Sequence, residues 1–123
     1  MNRIDGKVAL ITGGTQGLGK AIAHRLAENG AAGIITIGRS EEKGKEVAKK
    51  IFEDTGCKIV FVKTDLPEVD QCRNAVKVAK QEFGKIDVLV NNAGALWWKP
   101  IHETPSNKYD LVNQVNSRAS YVL

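Results

Sequence analysis

The sequence has no long hydrophobic run. No apolar stretch approaches the roughly 20 residues that a membrane-spanning helix requires, and residues 1–7 contain no hydrophobic signal region. Both absences argue against a membrane protein and against secretion. We therefore expect a cytoplasmic protein with no membrane partner.

Cysteine and histidine are scarce, with two of each. Cys57 and Cys72 match no metal-ligand spacing, and we expect both to be reduced and structural. His24 and His102 have no Cys or Asp partner at ligand spacing. The sequence therefore predicts no metal site.

The chain also lacks a strong excess of one charge, since 18 Lys and Arg residues stand against 14 Asp and Glu residues for a net charge of +4. The lysines are spread along helical segments, which indicates solvated helix faces and no nucleic-acid partner. The modest positive balance suits an anionic cofactor. With 123 residues, of which 42% are hydrophobic, we expect a single domain over 1–123.

Four short apolar runs recur along the chain. They are nearly continuous, which favours strands that are buried on both faces of a parallel sheet. The four runs are 8–11, 34–37, 59–62 and 88–90.

Amphipathic stretches with helical periodicity lie between these runs. They span 17–29, 41–54 and 69–83, and a glycine follows each of them closely. The first is predicted to bury Leu18, Ile22 and Leu26, and the second to bury Val47, Ala48, Ile51 and Phe52. A final helix is predicted from near Ser106, with Ser106 as its N-cap. This alternation of elements predicts a doubly wound α/β fold with a parallel sheet.

A glycine-rich turn joins the first predicted strand to the first predicted helix, with glycines at Gly13, Gly17 and Gly19. Glycines let the backbone turn tightly and let a pyrophosphate approach, while the N–H groups and the positive dipole end of the new helix face the anion. The strand–turn–helix context favours a phosphate site over a plain tight turn.

Four motifs in order resemble the short-chain dehydrogenase/reductase family. They are T-G-x-x-x-G-x-G at 12–19, Asp65-Leu66 after the third strand, N-N-A-G at 91–94 after the fourth, and Asn116 in the final helix. The resemblance covers nearly the whole chain and implies an NAD(P)-binding Rossmann-type domain. It stops about halfway through the family's length, so the domain is expected to be truncated after the fourth strand and part of the next helix.

The resemblance implies roles for individual residues. Gly13, Gly17 and Gly19 would cradle the pyrophosphate, with the backbone of Thr15, Gln16 and Leu18 donating to it. Thr12 would tie this turn to the N-N-A-G strand. Asp65 would accept a hydrogen bond from the adenine amino group with help from the Leu66 backbone, or would be only a helix-entry residue. Asn92, Ala93 and Gly94 would border the ribose and the nicotinamide side, and Asn91 would stabilise the sheet.

The end of the second strand distinguishes NADP(H) from NAD(H). NAD-specific sites place a carboxylate there for the ribose 2′-hydroxyl, whereas this chain has Gly38-Arg39-Ser40. The planar fork of Arg39 suits a 2′-phosphate, and Ser40 adds a hydroxyl. The sequence therefore predicts NADP(H) in preference to NAD(H). The alternative is that Arg39 is only an exposed surface residue. Many relatives also carry a basic residue between the first two glycines of the turn, and this chain has Thr15 and Gln16 there instead.

The same resemblance implies hydride transfer between nicotinamide and a carbonyl or secondary alcohol. Asn116 would be the family's fourth catalytic residue and would hold a water in a proton relay. Trp97 and Trp98 follow the N-N-A-G motif, where one of them would line the substrate pocket or both would only pack. The family's catalytic Ser and its Tyr-x-x-x-Lys pair are not found. Four residues after Tyr109, where that pair would have a lysine, this chain has Asn113. The 123 residues alone are therefore expected to be inactive.

A sheet that stops at its fourth strand leaves that strand as an edge, which invites pairing with another chain. We expect a homo-oligomer, or pairing through the fourth strand or the last helix. One alternative function is a non-catalytic truncated nucleotide-binding or oligomerisation module. Another is an S-adenosylmethionine methyltransferase, which would prefer an acidic residue at the end of the second strand, where Gly38-Arg39 does not fit.

Overall fold

The computed structural model describes residues 3–95 and 99–123. Strands and helices alternate in the predicted order: β1 (Val8–Thr12), α1 (Gly17–Glu28), β2 (Gly33–Gly38), α2 (Glu41–Thr55), β3 (Ile59–Lys63), α3 (Val69–Phe83) and β4 (Val88–Val90). A short 3-10 turn follows at Ile101–Glu103. The last helical stretch consists of α4 (Ser106–Asn113), a π-helical turn (Gln114–Arg118) and α5 (Ala119–Val122).

The four strands form one parallel sheet in the order β3-β2-β1-β4. This confirms the predicted doubly wound α/β fold. The chain moves outward from β1 through β2 to β3 and then returns to the other side of β1 for β4. The strand order therefore reverses beside β1, and in open α/β sheets ligands bind in the crevice outside the carboxyl ends of the strands at such a point.

Two hydrophobic clusters cover the faces of the sheet. One joins alternate residues of β1 and β2, such as Ile11 and Ile34, to α1 and α2. The other joins Leu10, Ile35 and neighbouring strand residues to α3. The two central strands are almost completely buried, which explains why their sequences read as continuous apolar runs.

The buried face of α1 is shifted by one position along the chain from the predicted one. Its buried residues are Gly19, Ala23 and Ala27, while Ile22 and Leu26 are half-buried at the side of the core. Leu18 is 70% exposed, so its predicted burial was wrong. Small residues on the inner face let the helix approach the sheet and the glycine turn closely.

The predictions for α2 and for the last helix each need one correction. Val47 and Ile51 are buried as expected, whereas Phe52 is 54% exposed. The third buried residue of α2 is Gly44. A larger residue would not fit there, because a Cβ would lie 2.2 Å from the Phe61 ring. Ser106 is the first residue of α4 rather than its N-cap, which is Pro105.

Within residues 3–95 and 99–123, no helix has the length and apolar character needed to cross a membrane. Cys57 and Cys72 are free and buried. Burial raises the pKa of both thiols, which fits structural rather than reactive cysteines.

Candidate functional site

The turn after β1 depends on its glycines for two different reasons. Gly13 and Gly17 have φ values of +68° and +55°, which residues other than glycine rarely adopt. Gly19 instead permits a close approach, because a Cβ there would stand 2.1 Å from the Gly13 carbonyl oxygen. The turn is therefore packed tightly against the first residues of α1.

The N-terminus of α1 is open toward solvent. Its N-cap, Gln16, is extended and makes no side-chain capping bond, and the first turn contains no acidic residue. By contrast, Ser40 caps α2 by accepting from the Lys43 N–H at 3.4 Å, and two glutamates follow it. A Cβ on Gly17 would meet no atom within 4 Å. The first N–H groups of a helix, its dipole and open space together are the features that suit an anion, so this N-terminus is a candidate anion site.

Thr12 joins this turn to the end of β4. Its Oγ1 accepts hydrogen bonds from the backbone N–H groups of Asn92 and Ala93, both at 2.9 Å. The same hydroxyl donates to the Val90 carbonyl oxygen at 3.4 Å. The Asn92 side-chain Nδ2 donates to the Gly13 carbonyl oxygen, also at 3.4 Å. One buried hydroxyl therefore holds the ends of β1 and β4 together, as expected for Thr12.

Asn116 lies in the π-helical turn and contacts the loop that follows Gly94. Its Oδ1 accepts from the Ala95 N–H at 2.7 Å, and its Nδ2 donates to the Ala95 carbonyl oxygen at 2.9 Å. This reciprocal pair fixes the last helical stretch to the loop after β4. π-helical turns inside α-helices occur frequently at functional sites. The family resemblance indicated the position of Asn116, but neither the π turn nor the Ala95 contact was predicted.

The carboxyl ends of β2 and β3 carry the other predicted residues. Arg39 is exposed directly after β2, and Thr15 of the glycine turn lies next to Gly38, where a Cβ would be 3.3 Å from the Thr15 methyl group.

At the end of β3, the Asp65 N–H donates to Gln71 Oε1 at 2.7 Å, and the Leu66 carbonyl oxygen accepts from the Cys72 thiol at 3.4 Å. Because the N-cap of α3 is Glu68, Asp65 does not cap that helix.

Apart from Asn116, the predicted site residues therefore lie at or after the carboxyl ends of the four strands of one sheet. Thr12, Gly13 and Asn92 are joined by hydrogen bonds around the turn. Asn116 bonds instead to Ala95, in the loop that follows β4. Trp97 and Trp98 lie outside the described residues. Among the residues that are described, no group of three or more His, Cys, Asp or Glu side chains is placed to hold a metal ion.

Comparison with known proteins gives one family. The family model described as short chain dehydrogenase matches residues 7–123. The hydroxynaphthalene reductase-like protein Arp2 of Metarhizium anisopliae is 37% identical over 118 residues, which are 96% of this chain and 44% of that protein. The chain thus spans less than half the length of this curated relative.

Solved structures agree with this result. The L-sorbose reductase of Gluconobacter frateurii, complexed with NADPH and L-sorbose, has a TM-score of 0.94 at 32% identity, covering 98% of this chain and 46% of that one. A blue fluorescent protein from a metagenomic library, in complex with NADPH, has a TM-score of 0.92 at 34% identity, covering 98% and 49%.

Proposed function

This chain belongs to the short-chain dehydrogenase family, and on that basis we propose that it is the cofactor-binding part of an NADP(H)-dependent oxidoreductase. The reaction in the complete enzyme is hydride transfer between nicotinamide and a small carbonyl compound or secondary alcohol. The cofactor itself supplies the hydride chemistry when it is bound, while the protein binds and orients it.

The observation that carries this proposal is the open N-terminus of α1 at the point where the strand order reverses. Gly13, Gly17 and Gly19 form the turn, and Gly17 leaves space for a ligand. We assign the pyrophosphate to this turn, with the backbone N–H groups of Thr15, Gln16 and Leu18 as donors. The absence of acidic residues from the first turn of α1 favours a dianionic ligand there.

The preference for NADP(H) rests on Arg39. In the described part of the chain, Arg39 has no salt bridge and no side-chain hydrogen bond, and no carboxylate stands at Gly38 or Ser40. A guanidinium binds a phosphate through paired hydrogen bonds, so we assign the 2′-phosphate to Arg39 and Ser40. The two solved relatives described above are NADPH complexes, which supports the same cofactor class.

The remaining residues complete the proposed site. Asp65 and Leu66 take the adenine, while Asn92, Ala93 and Gly94 border the ribose and the nicotinamide side. Both amide atoms of Asn116 already bond to Ala95. A lone pair on Oδ1 and a hydrogen on Nδ2 are left over. We assign these to the water of the family's proton relay.

Equilibrium binding of NADPH and NADH tests the cofactor proposal. We expect a lower Kd for NADPH, and we expect Arg39→Ala to raise that Kd by about 10- to 100-fold, as loss of a charge-assisted hydrogen-bond pair implies. The Kd for NADH should change little. Arg73→Ala, which removes an exposed arginine from α3, is the matched control. Equal or tighter binding of NADH by the wild-type chain would contradict the proposal.

We expect no turnover from the 123 residues alone, because they contain no Tyr-x-x-x-Lys pair. That pair would hold and move the proton at the substrate oxygen. NADPH oxidation in the presence of carbonyl compounds measures this directly. A reductase rate from the purified chain would show that other residues carry the proton transfer.

We also propose that the chain associates with another chain through β4 or through the last helical stretch. Among the described strands β4 pairs only with β1, and Leu89 on it is 37% exposed. Tyr121 in α5 is 90% exposed. An edge strand with open backbone groups favours pairing with another strand. Sedimentation that shows a stable monomer at micromolar concentration would refute this.

A further inference from the structure

A second basic residue lies beside the proposed 2′-phosphate position, at the end of β3. The register of the parallel pair aligns Lys63 with Gly38, the residue before Arg39. The ladder continues one step further, because the Thr64 N–H donates to the Gly38 carbonyl oxygen at 2.8 Å. Lys63 and Arg39 are 24 positions apart in sequence, but they lie at the same edge of the sheet.

The side chain of Lys63 lies on the face of the sheet that α2 covers. Alternate residues of a strand share a face, so Lys63 lies with Ile59 and Phe61. Ile59 packs against the cluster that contains residues of α2, and the Phe61 ring lies against Gly44 of that helix. Lys63 is therefore directed toward the first turn of α2, which begins two residues after Arg39.

The charges around this position leave Lys63 available. Glu41, in the first turn of α2, forms a salt bridge with Lys45 at 3.0 Å. The Lys45 hydrogen bond is the main cause of a lowered pKa for Glu41, and the charge of Lys63 adds to it. Within residues 3–95 and 99–123, Lys63 itself has neither a salt bridge nor a side-chain hydrogen bond. Three lysines of α2 do have carboxylate partners, namely Lys45, Lys49 and Lys50.

We propose that Lys63 is a second specificity-determining residue, whose ammonium group binds the 2′-phosphate together with Arg39. This inference rests on the NADP(H) function proposed above. A phosphate monoester carries a charge of about −1.5 to −2 at neutral pH and has three acceptor oxygens, so two cations can bind it at once. The glycine turn offers only the uncharged Thr15 and Gln16 on its side. Lys63 at the end of β3 offers a second positive charge.

Binding of adenosine 2′,5′-bisphosphate and of 5′-AMP tests the proposal without the nicotinamide end. We expect Lys63→Ala to raise the Kd of the bisphosphate by about three- to tenfold, as loss of one charged hydrogen-bond partner implies. The Kd of 5′-AMP should stay within about a factor of two. Lys63→Gln, which keeps most of the side-chain stem, separates loss of charge from loss of packing. Lys77→Ala on α3 is the matched control for loss of one exposed positive charge.

Each outcome decides between the two proposals. If Arg39→Ala removes the preference for the bisphosphate while Lys63→Ala behaves like Lys77→Ala, the role of Lys63 is wrong and the NADP(H) function stands. If the wild-type chain binds the bisphosphate no more tightly than 5′-AMP, both proposals are wrong. A selective loss in Lys63→Ala and Lys63→Gln supports both proposals, and the Arg39→Ala/Lys63→Ala double variant then shows whether the two cations act together.

Discussion

Replacement of Thr12 by valine removes one hydroxyl and affects three backbone groups. The Oγ1 of Thr12 accepts from the N–H groups of Asn92 and Ala93 and donates to the Val90 carbonyl oxygen. Thr12 is 3% exposed, so water cannot easily replace the hydroxyl. Valine has nearly the same shape, and Thr12→Val therefore tests the hydrogen bonds with little change in packing.

The expected loss follows from the number of groups left without partners. A buried donor or acceptor without a partner costs about 1–3 kcal/mol, and the two N–H groups are only partly buried, so we expect a loss of roughly 2–4 kcal/mol. With a urea slope of about 2 kcal/mol/M, the unfolding midpoint should fall by about 1–2 M. Thr12→Ser keeps the hydroxyl and loses a methyl group, which costs about 1 kcal/mol.

Urea unfolding followed by circular dichroism measures both variants against the wild type. The slope should stay the same, so that the midpoint reports stability alone. Thr12→Val should also weaken NADPH binding, because Asn92 and Ala93 border the proposed site. If Thr12→Val and Thr12→Ser lower the midpoint equally, the hydroxyl does not hold β1 and β4 together, and the reasoning fails.

Three further predictions concern single groups. Gly19→Ala should abolish measurable NADPH binding and lower the unfolding midpoint, because its Cβ would clash with the Gly13 carbonyl oxygen; unchanged binding would show that the turn can widen. Thr36→Val should raise stability by about 1 kcal/mol, since among the described residues the buried Thr36 Oγ1 has no hydrogen-bond partner; a lower thermal midpoint would contradict this. The Val8 N–H, more than any other group, lowers the pKa of Asp87. The stabilisation by ionised Asp87 should therefore be complete above about pH 4 and be lost as the pH falls further, while Asp87→Asn should make acid unfolding less steep.

The elements and the phosphate-binding turn could be predicted from local patterns. Continuous apolar runs marked the strands because both faces of the sheet are covered, and the glycine spacing marked the turn after β1. The prediction for α1 was one residue off because periodicity shows that a helix has an apolar face but not how close it lies to the sheet. Gly19, Ala23 and Ala27 form the inner face because α1 lies directly against the turn.

By itself, the sequence determined the strands, the helices and the types of residue at each strand end, because these depend on neighbours within a few positions. Only the tertiary structure decided which strand ends meet. Parallel pairing brings Thr12 to Asn92 across 80 positions, a contact that only the family resemblance had implied. It also aligns Lys63 with Gly38, which was not predicted. The π turn brings Asn116 to Ala95. These contacts depend on register and on helix packing, which no local pattern specifies, and they decide which side chains can act on one ligand.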